Sequence, residues 1–229
     1  MSSLRPGTSS TVAARTLRWS AAGARLAALA LVVGLLAVLV DRQWGPLLDL
    51  DRATTRDAES LTGLTGAAGL LTDLGAPHIL SLATVVLAVL LLRRGEHRLA
   101  VFVVLARVGA QLLSTSLKAA VDRARPVFED PVATAGGSSF PSGHTIAAAS
   151  FALVVVIVCR PRVGPSQRPW LLAGGAVFAL LIAATRVVLG VHYLSDVIAG
   201  LVIGAGWTAV VATLLIPTRV RVTADRSRP

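Results

Sequence analysis

The sequence predicts an all-α polytopic membrane protein, a bundle of six transmembrane helices, and composition and hydropathy both point to it. Of the 229 residues, 54% are hydrophobic and only 15% are charged, and the mean hydropathy is +0.72. Soluble domains carry about 25% charged residues, so the composition excludes an ordinary soluble domain. Six stretches come close to the ~20 apolar residues that a membrane-crossing helix needs. They are residues 21–40, 74–92, 99–117, 144–159, 170–189 and 197–216.

The first span is predicted to be a retained anchor rather than a cleaved signal peptide. Its polar arm is long, and the sequence Val38-Leu39-Val40-Asp41 lacks the small residues of a cleavage site. We expect residues 1–20 to form a disordered cytoplasmic arm and residues 217–229 a basic cytoplasmic tail. Residues 21–216 then form one transmembrane domain, with no room for a second.

The second span is preceded by an apolar stretch rich in Gly and Thr, from Leu61 to Gly75. This stretch is either an interfacial helix on the outer surface or an extension of the span, which Pro77 suits as a first-turn residue. In the third span, Arg107 is a charge at membrane depth, where charges are costly and often functional. Snorkelling or an interhelical hydrogen bond is the simpler explanation.

The charges in the loops indicate the orientation of the six spans. The arm, the loops at 93–98 and 160–169 and the tail carry fourteen arginines against two acids. The opposite loops carry seven basic residues against ten acids. By the positive-inside rule, both termini are cytoplasmic. Because the net charge of +10 is spread loop by loop, it indicates topology and not nucleic-acid binding. The single cysteine, Cys159, excludes an intramolecular disulfide.

A first polar cluster follows the third span and consists of Lys118, Arg125 and Pro126. The two cations are seven residues apart, so they share a face if the helix continues until Pro126 ends it. Such a pair can neutralise two phosphate oxygens. Ordinary juxtamembrane cations remain the alternative.

A second cluster, Pro141-Ser142-Gly143-His144, directly precedes the fourth span. Ser142 is placed to cap the helix, and Gly143 leaves room for an oxyanion to approach its N-terminus. His144 stands beside that position. The alternative is a capping serine with an interfacial histidine.

A third cluster, Arg186, His192 and Asp196, lies between the last two spans. His192 and Asp196 have i, i+4 spacing, so in a helix the carboxylate orients one imidazole nitrogen and leaves the other free as a nucleophile. The alternative is a structural hydrogen bond.

In order, Lys118-x6-Arg125-Pro126, Pro141-Ser142-Gly143-His144 and Arg186-x5-His192-x3-Asp196 resemble the signature of the type 2 phosphatidic acid phosphatase superfamily. The signature occupies residues 118–196, and the six spans extend the resemblance over most of the chain. One departure is Thr185, where the family usually has Ser before the arginine. Its hydroxyl can still bond a phosphate or a neighbouring loop.

The resemblance implies an integral membrane lipid phosphatase with a phosphohistidine intermediate. The loop charges predict that its three clusters lie on the outer, extracytoplasmic side of the cell membrane. The resemblance also implies that His192 attacks phosphorus, Asp196 orients it and His144 is the general acid. Phosphate-binding groups would be those of Lys118, Arg125, Ser142, Gly143 and Arg186. No cofactor or metal is expected, because the sequence shows no other set with metal-ligand spacing.

The expected partners are the bilayer and a lipid phosphate or diphosphate, such as phosphatidic acid, phosphatidylglycerol phosphate or a polyprenyl diphosphate. The sequence separates neither these substrates nor the oligomeric states. Alternatives are a phosphotransferase that passes the phosphate to a lipid or sugar hydroxyl, and a non-catalytic lipid-phosphate binder or transporter. A vanadate haloperoxidase is more distant. The Ala, Arg and Val usage is typical of a GC-rich bacterium.

Overall fold

The computed structural model describes residues 8–127 and 135–216, and within these ranges the protein is built of helices without a strand. The predicted tail at 217–229 and the first seven residues of the predicted arm lie outside these ranges. Eight α-helices follow one another in these two described ranges. They are α1 Thr8–Asp41, α2 Gly45–Glu59, α3 Thr65–Leu74, α4 Pro77–Arg93, α5 His97–Val121, α6 Gly143–Cys159, α7 Arg168–Val188 and α8 Leu194–Leu215.

The predicted bundle of six membrane-spanning helices is confirmed. In the part of the chain that the structure describes, six helical stretches are long and apolar enough to cross a membrane, and each overlaps a predicted span. They belong to α1, to α3 with α4, and to α5, α6, α7 and α8. Helix α1 begins at Thr8, so part of the stretch expected to be a disordered arm is helical.

The stretch before the second span forms a separate short helix and is not a continuous extension of the span. Helix α3 ends at Leu74, and Gly75 and Ala76 separate it from Pro77, the first residue of α4. Helix α3 packs mainly against α7. Gly75 permits this approach, because an added Cβ would lie 2.5 Å from Ile182 Cγ2 on α7. The contact brings α3 to the end of α7 that carries Arg186.

Helix α8 is the central element of the bundle and packs against α1, α5, α6 and α7. Its contact with α6 is close because two glycines face that helix. A Cβ on Gly200 would lie 2.8 Å from Thr145 Cβ, and one on Gly204 would lie 2.5 Å from the Ile146 carbonyl oxygen. Small residues allow membrane helices to approach at backbone distance. The start of α6 is therefore held directly against the first turns of α8.

Arg107 makes the interhelical hydrogen bonds expected of it. From α5 it donates to Ser81 Oγ at 3.2 Å and to the Pro77 carbonyl at 3.0 Å, both on α4. It also donates to Gln111 Oε1, one turn along its own helix, at 3.3 Å. These three acceptors account for a cation that is 7% exposed.

The two ends of the bundle differ in the residues and elements that they carry. At one end Arg162 pairs with Glu96, which joins the α6–α7 and α4–α5 connections, and Arg18 donates to the Leu214 carbonyl at the end of α8. Cations suit helix C-termini, where carbonyl groups lack intrahelical partners. The opposite end carries α2, α3, the segment between α5 and α6, and the turn between α7 and α8.

Candidate functional site

The three polar clusters predicted from the sequence meet at the end of the bundle that carries α2 and α3. Arg125 of the first cluster donates to the Val191 carbonyl at 2.7 Å, next to His192 of the third. The Ser142 N–H of the second cluster donates to the Asp196 carbonyl at 3.1 Å. Residues up to 78 positions apart thus form one site.

Lys118 and Arg125 are brought together differently from the prediction. Helix α5 ends at Val121 and does not continue to Pro126, because Asp122 adopts a left-handed conformation with φ of 40°. The chain then runs without helix through residues 122–127. Lys118 therefore projects from the last helical turn, whereas Arg125 projects from the segment that follows.

Backbone carbonyls hold both cations in place. Lys118 Nζ donates to the Ser138 carbonyl at 2.6 Å. Arg125 uses Nε and both terminal nitrogens, so its guanidinium is fixed along two edges. Its carbonyl acceptors at 3.0 Å or less belong to Gly136, Gly137 and Val191. Burial lowers the pKa of Arg125 from its ordinary value.

The segment Pro141–His144 leads into α6, with Ser142 at the N-cap. Contrary to expectation, the Ser142 hydroxyl makes no capping bond to the backbone; it accepts a hydrogen bond from Thr145 Oγ1 at 3.0 Å. The Ser142 amide is engaged by the Asp196 carbonyl, so it is not available to an anion. The N–H groups of Gly143 and His144 begin the helix, where amides lack intrahelical acceptors. A Cβ on Gly143 would come no closer than 3.9 Å to a neighbouring atom, Ser114 Oγ, so this approach is open.

Arg186 lies at the end of α7 and is held from α3. Its Nη1 donates to Thr72 Oγ1 at 2.7 Å, and both residues are buried. Among the described residues its buried Nε has no hydrogen-bond partner, which leaves one donor for a ligand. The Thr185 hydroxyl donates within its own helix, to the Ile182 carbonyl at 2.7 Å. Thr72 was not anticipated from the sequence, because nothing in the pattern of α3 indicates which of its threonines faces α7.

His192 and Asp196 approach each other, but not as neighbours on one helix. His192 precedes α8, which begins at Leu194 with Tyr193 at the N-cap, and Asp196 lies in the first turn. The separation of Nδ1 and Oδ2 is 3.5 Å, and Nδ1 makes no hydrogen bond to any described residue. On the other side of the ring, Nε2 lies 3.3 Å from Arg125 Nη1. Catalytic hydrogen bonds are often long in ligand-free structures and tighten when substrate binds.

The imidazole of His192 is enclosed and held neutral. Only 3% of the residue is exposed. Burial lowers the pKa of His192 to about 4, and the Asp196 carboxylate only partly opposes this. A neutral ring with its Nδ1 facing a carboxylate keeps a lone pair on Nε2. At neutral pH, His192 therefore has the protonation state that a nucleophile needs.

His144 lies in the first turn of α6 within electrostatic range of Arg186, His192 and Arg125. His78, in the first turn of α4, is also within this range. His144 and His192 thus share one cationic environment. In residues 8–127 and 135–216, no group of three or more His, Cys, Asp or Glu side chains is arranged to hold a metal ion.

Arg123 and Asp51 are two further neighbours of the site that sequence reasoning missed. Arg123 donates to Asp196 Oδ1 and to Asp51 Oδ2, both at 2.7 Å. The Asp51 carboxylate also accepts from the Ser195 amide at 2.9 Å and from its hydroxyl at 2.6 Å. Arg123 lies two residues before Arg125, so its position hinted at a role. Asp51 gave no signal, because a buried acid on α2 cannot be told from its exposed neighbours by sequence.

The residues that carry this signature match a known protein family. A family model described as the PAP2 superfamily matches residues 98–219, which covers more than half of the chain and all three clusters. The chain belongs to the PAP2 superfamily.

Several curated PAP2 relatives resemble this chain over part of their length. The lipid A 4'-phosphatase of Bacteroides thetaiotaomicron is 35% identical over 109 residues, 42% of this chain and 45% of the relative. The phosphatidylglycerophosphatase B of Bacillus subtilis is 34% identical over 97 residues, 41% of this chain and 47% of the relative. The lipid A 1-phosphatase of Rhizobium etli is 36% identical over 114 residues, 45% of this chain and 44% of the relative. The matches thus span less than half of each of these relatives.

A solved structure extends the similarity to most of the fold. The transmembrane PAP2-type phosphatidylglycerolphosphate phosphatase from Bacillus subtilis superposes with a TM-score of 0.72 at 25% identity. The match covers 81% of this chain and 92% of that one. The helical bundle, and not only the signature, is therefore shared with a membrane-embedded PAP2 protein.

Proposed function

We propose that this PAP2 protein is an integral membrane phosphatase that hydrolyses the phosphomonoester or diphosphate of a lipid through a phosphohistidine intermediate. The observation that supports this most directly is the setting of His192. Its ring is buried and neutral, with Nδ1 facing Asp196 and Nε2 facing Arg125 at the meeting point of the three clusters. Binding alone needs cations and amides, but it does not need a nucleophile with its lone pair directed at an anion site.

The proposed reaction has two displacement steps. In the first, the Nε2 lone pair of His192 attacks phosphorus, the bond between phosphorus and the lipid oxygen breaks, and His144 gives its proton to that oxygen. In the second, water attacks the phosphohistidine and loses a proton to His144, and the bond between nitrogen and phosphorus breaks. Inorganic phosphate leaves, and both histidines return to their starting states.

The charge on the phosphoryl oxygens is met by groups already in place. Lys118 and Arg125 are clamped by backbone carbonyls, and Arg186 is held by Thr72 with its Nε still unused. Donors fixed before the reaction stabilise transition-state charge without reorganisation. The amides of Gly143 and His144 complete the set at the positive end of α6.

The site is proposed to open at the extracytoplasmic face of a bacterial cell membrane, with both termini in the cytoplasm. The arginine-rich end of the bundle supports this through the positive-inside rule. A phosphate at the opposite end lies at headgroup level, so an attached lipid tail can stay in the bilayer. The names of the curated relatives support lipid A and phosphatidylglycerol phosphate as substrate classes to test.

A phosphate-release screen of the purified protein tests this function. The substrates are phosphatidic acid, phosphatidylglycerol phosphate, a polyprenyl diphosphate and lipid A, each with and without a chelator. We expect release from at least one of them, unchanged by the chelator, and none from His192→Ala. His97→Ala, which alters a histidine at the other end of the bundle, is the matched control and keeps full activity.

Two outcomes would overturn the proposal. The first is phosphate release by His192→Ala at the wild-type rate. The second is a new phosphoester with little free phosphate, because that product identifies a phosphotransferase. Brief incubation with labelled substrate followed by acid and alkali treatment gives a further check, since a phosphohistidine is labile to acid and survives alkali.

A further inference from the structure

We infer that Arg123, anchored by Asp51 of α2, is a positioning residue that keeps the carboxylate of Asp196 ionised and oriented toward His192. This inference rests on the proposed phosphohistidine mechanism and adds to it a residue outside the three-part signature. It also gives α2, which lies outside the residues that match the family model, a part in the chemistry.

The geometry shows a buried ion bridge with Arg123 at its centre. Its side chain is 10% exposed, whereas those of Asp51 and Asp196 are 1% and 0% exposed. One terminal nitrogen contacts Asp196 and Ser195, and the other contacts Asp51. Tyr193 lies against the guanidinium, with its ring centroid 4.0 Å from Cζ. Both terminal nitrogens of the guanidinium are thus committed to this bridge, and the aromatic ring restricts its movement.

Arg123 and the phosphate-binding cations have different partners. Its hydrogen bonds go to the two carboxylates and to a hydroxyl of α8. Arg125, two residues later, contacts the ring of His192. Arg123 binds Oδ1 of Asp196, whereas Nδ1 of His192 faces Oδ2. Arg123 therefore acts on the carboxylate oxygen that does not face the nucleophile.

The bridge has an electrostatic consequence for the nucleophile. A carboxylate removed from water takes up a proton unless a cation or hydrogen bonds stabilise its charge. Asp196 has both: Arg123 binds Oδ1, and the Tyr193 amide binds Oδ2 at 2.9 Å. For Arg123, burial lowers the pKa, but Asp196 and Asp51 more than offset it, so the net pKa is raised. The arginine stays charged, and Asp196 keeps an acceptor for His192 Nδ1.

Loss of the positive charge at position 123 should shift the pH dependence of the rate in a predictable direction. His192 and Asp196 titrate as a coupled pair, so a proton taken up by either one disables the nucleophile. Removal of a neighbouring cation favours that proton. The acidic limb of the pH–rate profile should therefore move to higher pH, by about 1 to 3 units. The other ionisable groups that influence the pair belong to Lys118, Arg125, His144, Arg186, Asp51 and Tyr193, and all of them remain in the variant.

The experiment compares full pH profiles of kcat and KM for three substitutions at the bridge. Arg123→Gln should lower kcat at least about tenfold, shift the acidic limb upward and leave KM within about threefold, since Arg123 contacts no predicted phosphate ligand. Arg123→Lys retains the charge and should leave the limb near its wild-type position. Asp51→Asn removes an anion, so its limb should not move upward.

Arg52→Gln is the matched control. Like Arg123→Gln, it removes one positive charge, here from α2. The Arg52 side chain is 63% exposed, however, and pairs with Asp49. The profile of this variant should match that of the wild type. If Arg123→Gln does not fold, the double variant Asp51→Asn/Arg123→Gln removes the buried charges together, and it should show the upward shift relative to Asp51→Asn.

The result that overturns the inference is an Arg123→Gln enzyme, or a double variant relative to Asp51→Asn, whose acidic limb does not move. A shift of equal size in Arg52→Gln would overturn it too, because the effect would then be one of general surface charge. These outcomes are distinct from failure of the proposed function, which shows as activity in His192→Ala.

Discussion

Thr72 is the residue through which α3 holds Arg186, a proposed phosphate-binding cation, and Thr72→Val tests that role. Valine has nearly the same shape as threonine but lacks the hydroxyl. In the wild type, Arg186 Nη1 donates to that hydroxyl at 2.7 Å, and the two residues are 6% and 7% exposed. The substitution leaves a buried guanidinium N–H without its acceptor, and the side chain of Arg186 becomes free to turn from the site.

The size of the effect follows from the charge of the donor. Hydrogen bonds to charged groups contribute about 1.5–3 kcal/mol. Each 1.36 kcal/mol of transition-state stabilisation corresponds to a factor of ten in rate. If the loss appears entirely at the transition state, kcat/KM falls by about tenfold to a hundredfold. Thr72→Ser keeps the hydroxyl and should lose less than about threefold.

The assay is phosphate release at a series of substrate concentrations, together with thermal unfolding of each variant. Thr84→Val is the matched control, because the Thr84 hydroxyl is also buried but donates only within its own helix, to the Leu80 carbonyl at 2.6 Å. It should retain wild-type kcat/KM. The reasoning is refuted if Thr72→Val keeps kcat/KM within about threefold of wild type, or if Thr84→Val loses as much.

Other features of the structure give further expected outcomes. His144→Ala should lower kcat at least about 10²-fold, measured by phosphate release, because general acid catalysis contributes at least that much. Gly204→Ala should lower the free energy of unfolding by about 1–3 kcal/mol, and with it the melting temperature, since the added Cβ meets a backbone carbonyl of α6. Gly34→Ala is the control and should leave the melting temperature unchanged, because a Cβ at Gly34 meets no atom within 4 Å. Folding stability should fall as pH drops from 6.5 toward about 4, because unfolded His192 takes up a proton that the buried ring refuses. His192→Asn, followed by chemical denaturation across this range, should lack that part of the dependence.

The helices that cross the membrane were predictable from sequence because a single strong signal specifies them. A continuous apolar run of membrane length has few alternatives to a spanning helix, so all six spans were found. Helix ends were less predictable, since they depend on single backbone conformations. The left-handed Asp122 ended α5 one turn before the proline expected to do so.

The residues proposed to react were likewise visible in the sequence, but the residues that support them were not. His144, His192 and Asp196 stand in short motifs whose spacing carries information. Thr72 lies 114 residues from Arg186, and Asp51 lies 72 residues from Arg123, so no local pattern marks them. Their roles depend on which helix packs against which, and this is decided by tertiary contacts.

The two glycines of α8 that face α6 have a consequence for how the sequence of this PAP2 protein can diverge. They carry no reactive group, yet they set the spacing between the turn that holds His144 and the one that holds Asp196. Substitutions in α8 that change this spacing would move the proposed reacting groups relative to each other, so α8 leaves little room for a change of substrate preference. The surface where α4 and α5 border a cavity of about 270 Å³ around Arg107 offers positions that can vary without this effect.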